Sequence, residues 1–219
     1  IAANEILVGS LARLHKVKGQ EYLVRAIYEM KKLKNDIKVK LILMGDGDIE
    51  NDLRLLSERL QIGSSVIFAG RVNNISEILQ ALDIFAHPAI WEPFGIAVVE
   101  AMYCGVPVVA TNVGGIAEII THRDNGILVE PGDSAGIAKA VLELIENPGL
   151  AEKIAKNGKE TVLSKYTGMI YAEKVGRLYE QLMEQSRSKI QKRAKSIAYI
   201  LGSFPGKNEP FIVNEIKGL

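Results

Sequence analysis

One cysteine and three histidines make up the whole supply of thiol and imidazole in this 219-residue chain. The single Cys104 excludes an internal disulfide and suits a reducing compartment, so a cytoplasmic setting is expected. It lies in Met102-Tyr103-Cys104-Gly105-Val106-Pro107, between a helix and a strand, where a small packed residue is a better reading than a nucleophile. His15, His87 and His122 are scattered and lack the spacing of a zinc site. No apolar run approaches the length of a membrane span, because Glu100 interrupts the most hydrophobic stretch. A net charge of +1 argues against a partner chosen by bulk charge, nucleic acid above all. There is no Walker A loop and no signal peptide, and the opening at Ile1 rather than methionine reads as a fragment.

What is present has the balance of a soluble globular protein, with 47% apolar and 24% charged residues. The length allows one or two domains and a sizeable core. Ile6 to Ala12 reads as a buried strand, followed by the basic loop Arg13 to Gly19 and a helix from about Gln20 to Lys34. Further strands are expected at Lys38–Met44, Val66–Ala69, Asp83–Ala86, Pro107–Ala110 and Gly126–Val129. Helices are expected between them at about Ile49–Leu60, Ile75–Leu82, Ile96–Met102 and from Gly114-Gly115 onward. Strands alternating with helices predict an α/β fold, a Rossmann-like parallel sheet with helices on both faces. A helical segment should follow, over roughly Ser134–Glu146, Gly149–Lys165 and Met169–Gln185. Ligands of such sheets bind at the carboxyl ends of the strands.

The stretch Trp91 to Ala101 carries two carboxylates, Glu92 and Glu100, with seven residues between them. Pro93 pushes Glu92 out of helical conformation, onto an extended loop. Glu100 is the only charge on the apolar helix that follows, and burying it is costly without a partner. The backbone N–H groups of Phe94, Gly95, Ile96 and Ala97 would point at whatever lies before that helix, and an anion such as phosphate suits them. Arg13 and Lys18 flank one loop and are the right types for a diphosphate, a bidentate fork and a point charge. Glu100 could accept from a ribose diol and Glu92 from the hydroxyls of an attached sugar. Two decoys weigh less. Asp46 and Asp48 form an Asp-x-Asp pair, but a glycine turn after a strand explains Gly45-Asp46-Gly47-Asp48 as well. A dinucleotide fingerprint lacks its third glycine there, and no acid occurs from Gln61 to Ser76, so NAD is not expected.

With these pieces assembled, the chain resembles the retaining GT-B glycosyltransferases called glycosyl transferases group 1. The likeness covers about Ile6 to Gln185. It rests on Gly9-x-x-x-Arg13-Leu14-x-x-x-Lys18-Gly19, Gly45-Asp46-Gly47, Phe68-Ala69-Gly70, and Glu92-Pro93-Phe94-Gly95 with Glu100. Glu100-Ala101-Met102-x-Cys104-Gly105-x-Pro107-Val108-Val109-Ala110-Thr111, Gly114-Gly115-x-x-Glu118 and Gly126-x-Leu128-Val129-x-Pro131-Gly132-Asp133 follow in family order. The resemblance implies the C-terminal, donor-binding half of a GT-B fold. It assigns Arg13 and Lys18 to the donor diphosphate, Glu100 to the ribose, Glu92 to the transferred sugar and Val72 to the base. It implies a hexosyltransferase-type enzyme of polysaccharide or glycoconjugate synthesis, acting on a nucleotide-diphosphate sugar, with no cofactor and no metal. The acceptor, a glycan or lipid, would be held by an N-terminal domain that is missing ahead of Ile1, leaving this fragment inactive alone.

The expected domain plan is a donor domain over residues 1–185, a basic linker over 186–195, and the start of a further Rossmann-like domain over 196–219 that stops short. Arg187 to Lys195 could attract anionic lipid, which would place the full-length enzyme peripherally at the cytoplasmic face of a membrane; a solvated linker is the simpler reading. Tyr166-Thr167-Gly168 departs from the family pattern at the last position, leaving the packing of the terminal helix open. Two rival functions remain: a non-catalytic nucleotide-sugar-binding or interaction module, and a nucleotide-sugar epimerase of related architecture.

Overall fold

The computed structural model describes residues 5–190, with side chains described as far as residue 183. Half of the expected linker, residues 191–195, and the whole of the further domain expected over 196–219 lie outside the described residues. Six strands form one all-parallel sheet: β1 (Ile6–Leu11), β2 (Val39–Met44), β3 (Val66–Gly70), β4 (Ile84–His87), β5 (Val108–Thr111) and β6 (Ile127–Val129). Their spatial order is β3-β2-β1-β4-β5-β6. β4 and β5 are buried at every position and β1 at its four central ones, as expected of strands covered on both faces.

The helices are α1 (Gln20–Leu33), α2 (Glu50–Arg59), α3 (Ile75–Gln80), α4 (Ile96–Tyr103), α5 (Ile116–Ile119), α6 (Ser134–Glu146), α7 (Pro148–Lys165) and α8 (Gly168–Ile190). α1 buries Leu23, Val24, Ile27 and Met30, a stripe at helical spacing that packs with Ile137, Val141 and Leu144 of α6. This layer, with Leu53 of α2, covers one face of the sheet. The other face is covered by Leu79, Val98, Ala101, Met102, Ile116 and Ile119 from α3, α4 and α5, with Val162 of α7. Each such side chain contributes about 1.5–3 kcal/mol when fully buried. Asp133 caps α6 by accepting from the Gly136 amide at 2.8 Å, and Pro148 opens α7 where its missing N–H costs nothing.

Element order follows the sequence reading, with local corrections. α4 begins at Ile96 as expected, where Gly95 takes a left-handed conformation (φ 104°) that turns the chain into the helix. Phe94 therefore lies ahead of the helix. Two short 3-10 turns, Lys16–Lys18 and Gly63–Ser65, occupy stretches expected to be loop. Asp83 stands outside β4; its carboxylate accepts from the Leu7 amide at 2.7 Å and ties the strand's entry to β1. The chain divides into two compact units, residues 1–170 and 171–219. α8 continues to Ile190, into the stretch expected as linker.

Candidate active site

Strand order changes direction between β1 and β4, and the loops leaving these two strands stand side by side at the switch point. The loop after β4 carries Glu92 and is gripped from both sides. Val17 O accepts from the amides of Ile90 (2.9 Å) and Trp91 (3.4 Å), and the Gly115 amide donates to Glu92 O at 3.1 Å. The buried Thr111 hydroxyl donates to Ala89 O at 2.5 Å. Two glycines allow this close approach. A Cβ at Gly19 would lie 2.0 Å from Pro88 O, and one at Gly114 would lie 2.0 Å from Glu92 O; both residues have positive φ. The glycines of the β1–α1 loop and of the turn after β5 thus set the position of a carboxylate in a third loop.

That carboxylate is the electrostatic centre of the site. Lys18 Nζ donates to Glu92 Oε2 at 2.8 Å, and His87 Nε2 lies 3.0 Å from the same oxygen. The His87 contact, and the Lys18 ammonium after it, bring the Glu92 carboxyl down to about 2 against the opposing effect of burial. Glu92 is therefore ionised throughout the neutral range. A cleft of about 380 Å³ opens on this trio, walled by Arg13 and by Pro93 to Ala97. Val98 and Val99 N–H both donate to Gly95 O, which leaves the Ile96 and Ala97 amides as the open first turn of α4. Of four amides expected to face an anion, these two belong to the helix. Phe94 and Gly95 line the same cleft from the loop, and Phe94 packs edge-on against Tyr166 at 5.9 Å between centroids.

A second cleft, of about 660 Å³, shares Leu11, Ala12 and Arg13 with the first and extends over the ends of β2 and β3 to Val72. Arg13 stands exposed where the two meet; its backbone carbonyl accepts from Gln20 Nε2 at 2.8 Å. Asp46 is paired with Arg71 at 2.9 Å, and that hydrogen bond holds its carboxyl below the usual range. Among the described residues, no three of His, Cys, Asp and Glu come together as a metal-holding group.

A sequence profile described as glycosyl transferases group 1 matches residues 1–161. The chain belongs to this family. It is 36% identical, over 83% of its length, to an uncharacterized glycosyltransferase of Methanocaldococcus jannaschii, covering 46% of that protein. It is 32% identical, again over 83% of its length, to N-acetyl-alpha-D-glucosaminyl L-malate synthase of Bacillus anthracis, covering 46% of it. Among solved structures, Anabaena HepE in complex with UDP and glucose superposes with a TM-score of 0.76 at 31% identity, over 82% of this chain and 49% of that one. The chain thus spans about half the length of the relatives it matches, and its fold is that of GT-B glycosyltransferases.

Within this member of the family, Arg13, Lys18, Glu92 and Phe94 to Ala97 come together in one cleft, and Val72 lies at the far end of its neighbour. Glu100 lines neither. It sits one turn along α4 from Ile96, half-buried and without a hydrogen-bond or ion-pair partner among the described residues, and burial pushes its carboxyl up. Cys104 follows one turn later with its thiol toward Ser76 O at 3.9 Å. Burial, and then the Glu100 charge, push that thiol up, away from nucleophilic use. Sequence reasoning passed over His87, which counted only as a histidine without zinc spacing. The available signal was its place at a strand end, five residues before the loop carboxylate. No helix among the described residues is long and apolar enough to cross a membrane.

Proposed function

We propose that this chain is the donor-binding half of a retaining glycosyltransferase acting on a nucleotide-diphosphate sugar. The observation that carries the reading is the continuous groove at the switch point. It runs from Val72, past Arg13, to Lys18, Glu92 and the open amides of α4. The bound UDP and glucose of HepE are the kind of ligand that such a groove fits. In this assignment the base lies over Val72 and the ribose diol reaches Glu100, whose unpartnered carboxylate has lone pairs to accept it. Arg13, Lys18 and the Ile96 and Ala97 amides meet the diphosphate, and Glu92 meets the sugar.

The chemistry follows from where charge develops. As the glycosidic bond breaks, negative charge gathers on the departing diphosphate and positive charge on the sugar ring. In this reading Arg13 and the helix amides meet the first, joined by Lys18 once it exchanges Glu92 for the diphosphate, and fixed donors of this kind favour bond cleavage. Glu92, ionised at neutral pH, stands on the side of the second. With this many fixed positive groups, the reaction is expected to need no metal. The acceptor would be supplied from a further half of the enzyme, which leaves the present chain competent to bind a donor and not to turn it over. A hexose as the transferred group, and polysaccharide or glycoconjugate synthesis as the setting, complete the proposal.

Calorimetry with UDP and other nucleoside diphosphates, with and without chelator, tests it. Binding that survives chelation is expected. A strict requirement for metal, or no affinity for any nucleoside diphosphate, would overturn the assignment. A non-catalytic sugar-nucleotide module would bind equally well, and transfer by the full-length protein separates the two.

A further inference from the structure

We propose that His87 is the positioning residue of Glu92: its Nε2–H holds Oε2 in place, so that Oε1 stays turned to the transferred sugar once a donor diphosphate has drawn Lys18 away. The inference deepens the proposed function and rests on its assignment of Glu92 to the sugar.

The starting point is that both neighbours of Glu92 use the same oxygen. Lys18 Nζ at 2.8 Å and His87 Nε2 at 3.0 Å share Oε2, and no hydrogen bond among the described residues engages Oε1. A carboxylate has lone pairs for about four donors, so Oε1 is the oxygen left for a ligand.

The two neighbours differ in how firmly they are held. Lys18 is a flexible stem with a hydrated point charge, 24% exposed, and stands in the cleft where a diphosphate would compete for it. His87 is 2% exposed at the end of β4, paired in register with Ala110 of β5. Its ring stacks over Phe85 at 6.3 Å between centroids, and it borders a small apolar cavity formed with Pro88, Val109, Val129 and Ile137. Burial and this packing hold the His87 ring more firmly than the Lys18 stem is held. A ligand that takes Lys18 leaves His87 as the only donor to the Glu92 carboxylate among the described residues.

The tautomer follows from the same surroundings. His87 Nδ1 is buried with no hydrogen-bond partner among the described residues. A proton there would make an orphaned N–H, whereas an unused lone pair is the lesser cost. The ring proton therefore belongs on Nε2, where it donates to Glu92. The apolar wall behind the ring fixes which nitrogen faces the carboxylate with a hydrogen.

Two variants separate this role from simple packing. His87→Phe keeps a ring and loses the donor. His87→Gln returns an amide N–H on a stem of similar reach. With UDP and UDP-glucose as probes, and the fluorescence of Trp91 (the only tryptophan, one residue from Glu92) as a readout, the ratio of the two affinities is measured. His87→Phe should cut the advantage of UDP-glucose over UDP about tenfold, the scale of one hydrogen bond to a charged group. His87→Gln should restore most of it. Equal losses for both ligands in His87→Phe, or failure of Gln to rescue, would show that the residue only fills space.

A second measurement needs no ligand. Long-range proton–nitrogen NMR of the wild-type imidazole should place the hydrogen on Nε2, and Glu92→Gln should move that resonance. A hydrogen on Nδ1, or no response to Glu92→Gln, would overturn the proposal even if the donor assignment stands. Absence of any nucleoside diphosphate binding would instead sink the donor assignment, while the ring resonance would still report the contact.

Discussion

Lys18 and Glu92 are 74 positions apart in the chain and 2.8 Å apart in the fold, joined through a single carboxylate oxygen that His87 also shares. The cation proposed for the diphosphate and the anion proposed for the sugar thus neutralise each other. Lys18 then cannot be treated as a free phosphate ligand, since binding must first exchange one anion for another.

Arg13 and Lys18 should differ as mutants for this reason. Arg13 has no ion-pair partner among the described residues, so Arg13→Ala should weaken a nucleoside diphosphate about tenfold or more and a plain nucleoside far less. Lys18→Ala removes a phosphate contact but also exposes the Glu92 charge to the cleft, and should weaken the diphosphate at least as much. Titration calorimetry with UDP and uridine reads both. Equal losses on the two ligands would indicate damage to the loop instead.

Glu92 links the site to the pH dependence of stability. Its carboxyl titrates at about 2 when folded against an ordinary 4.5, so it stabilises the fold above about 4.5 and loses that contribution as pH falls towards 2. Glu92→Gln should therefore have a lower Tm than wild type at pH 7. The gap should close as pH drops from 4.5 to 2. Thermal melts across that range check it, and a constant gap would mean that the contacts of Glu92 are not electrostatic.

Glu100 carries the opposite sign. Burial raises its carboxyl, so the fold favours the protonated form, and the relative stability it contributes is lost as pH rises through the folded value. At pH 7 the ionised group is a mild burden on the empty protein. Glu100→Gln should raise the Tm slightly at pH 7 and weaken nucleoside diphosphates about tenfold, since a neutral amide replaces a charged acceptor. Gain in stability with unchanged affinity would remove Glu100 from the ribose.

Gly114→Ala tests how the loops are fitted together. The added Cβ would meet Glu92 O at 2.0 Å on a backbone already at positive φ, and the displaced atoms are main chain that cannot rotate away. A loss of about 2 kcal/mol or more is expected, read as a lower urea midpoint at an unchanged slope. The affinity for UDP-glucose should fall more than that for UDP, because the carbonyl that moves belongs to Glu92.

Sequence alone determined the succession of elements, the family, and most of the residue types in the site. Strands covered on both faces read as unbroken apolar runs such as Ile6-Leu7-Val8, and amphipathic helices such as α1 repeat every three to four residues; both signals are local. Arg13, Lys18 and Glu92 were legible as candidates because they are charges on loops that follow strands, and they share one cleft; Glu100 was picked out as the one charge on an apolar helix, and it lines neither cleft. The start of α4 at Ile96 was legible too, from Pro93 and Gly95 ahead of an apolar run. Only the tertiary structure placed β4 beside β1, and that adjacency brings residues 13–18 and 87–97 to one cleft. It also turned His87 from an unremarkable strand-end histidine into a partner of Glu92, and made Gly19 and Gly114 the points where separate loops touch. These are relations between distant segments. They arise from strand order and backbone-to-backbone packing, which no local pattern encodes.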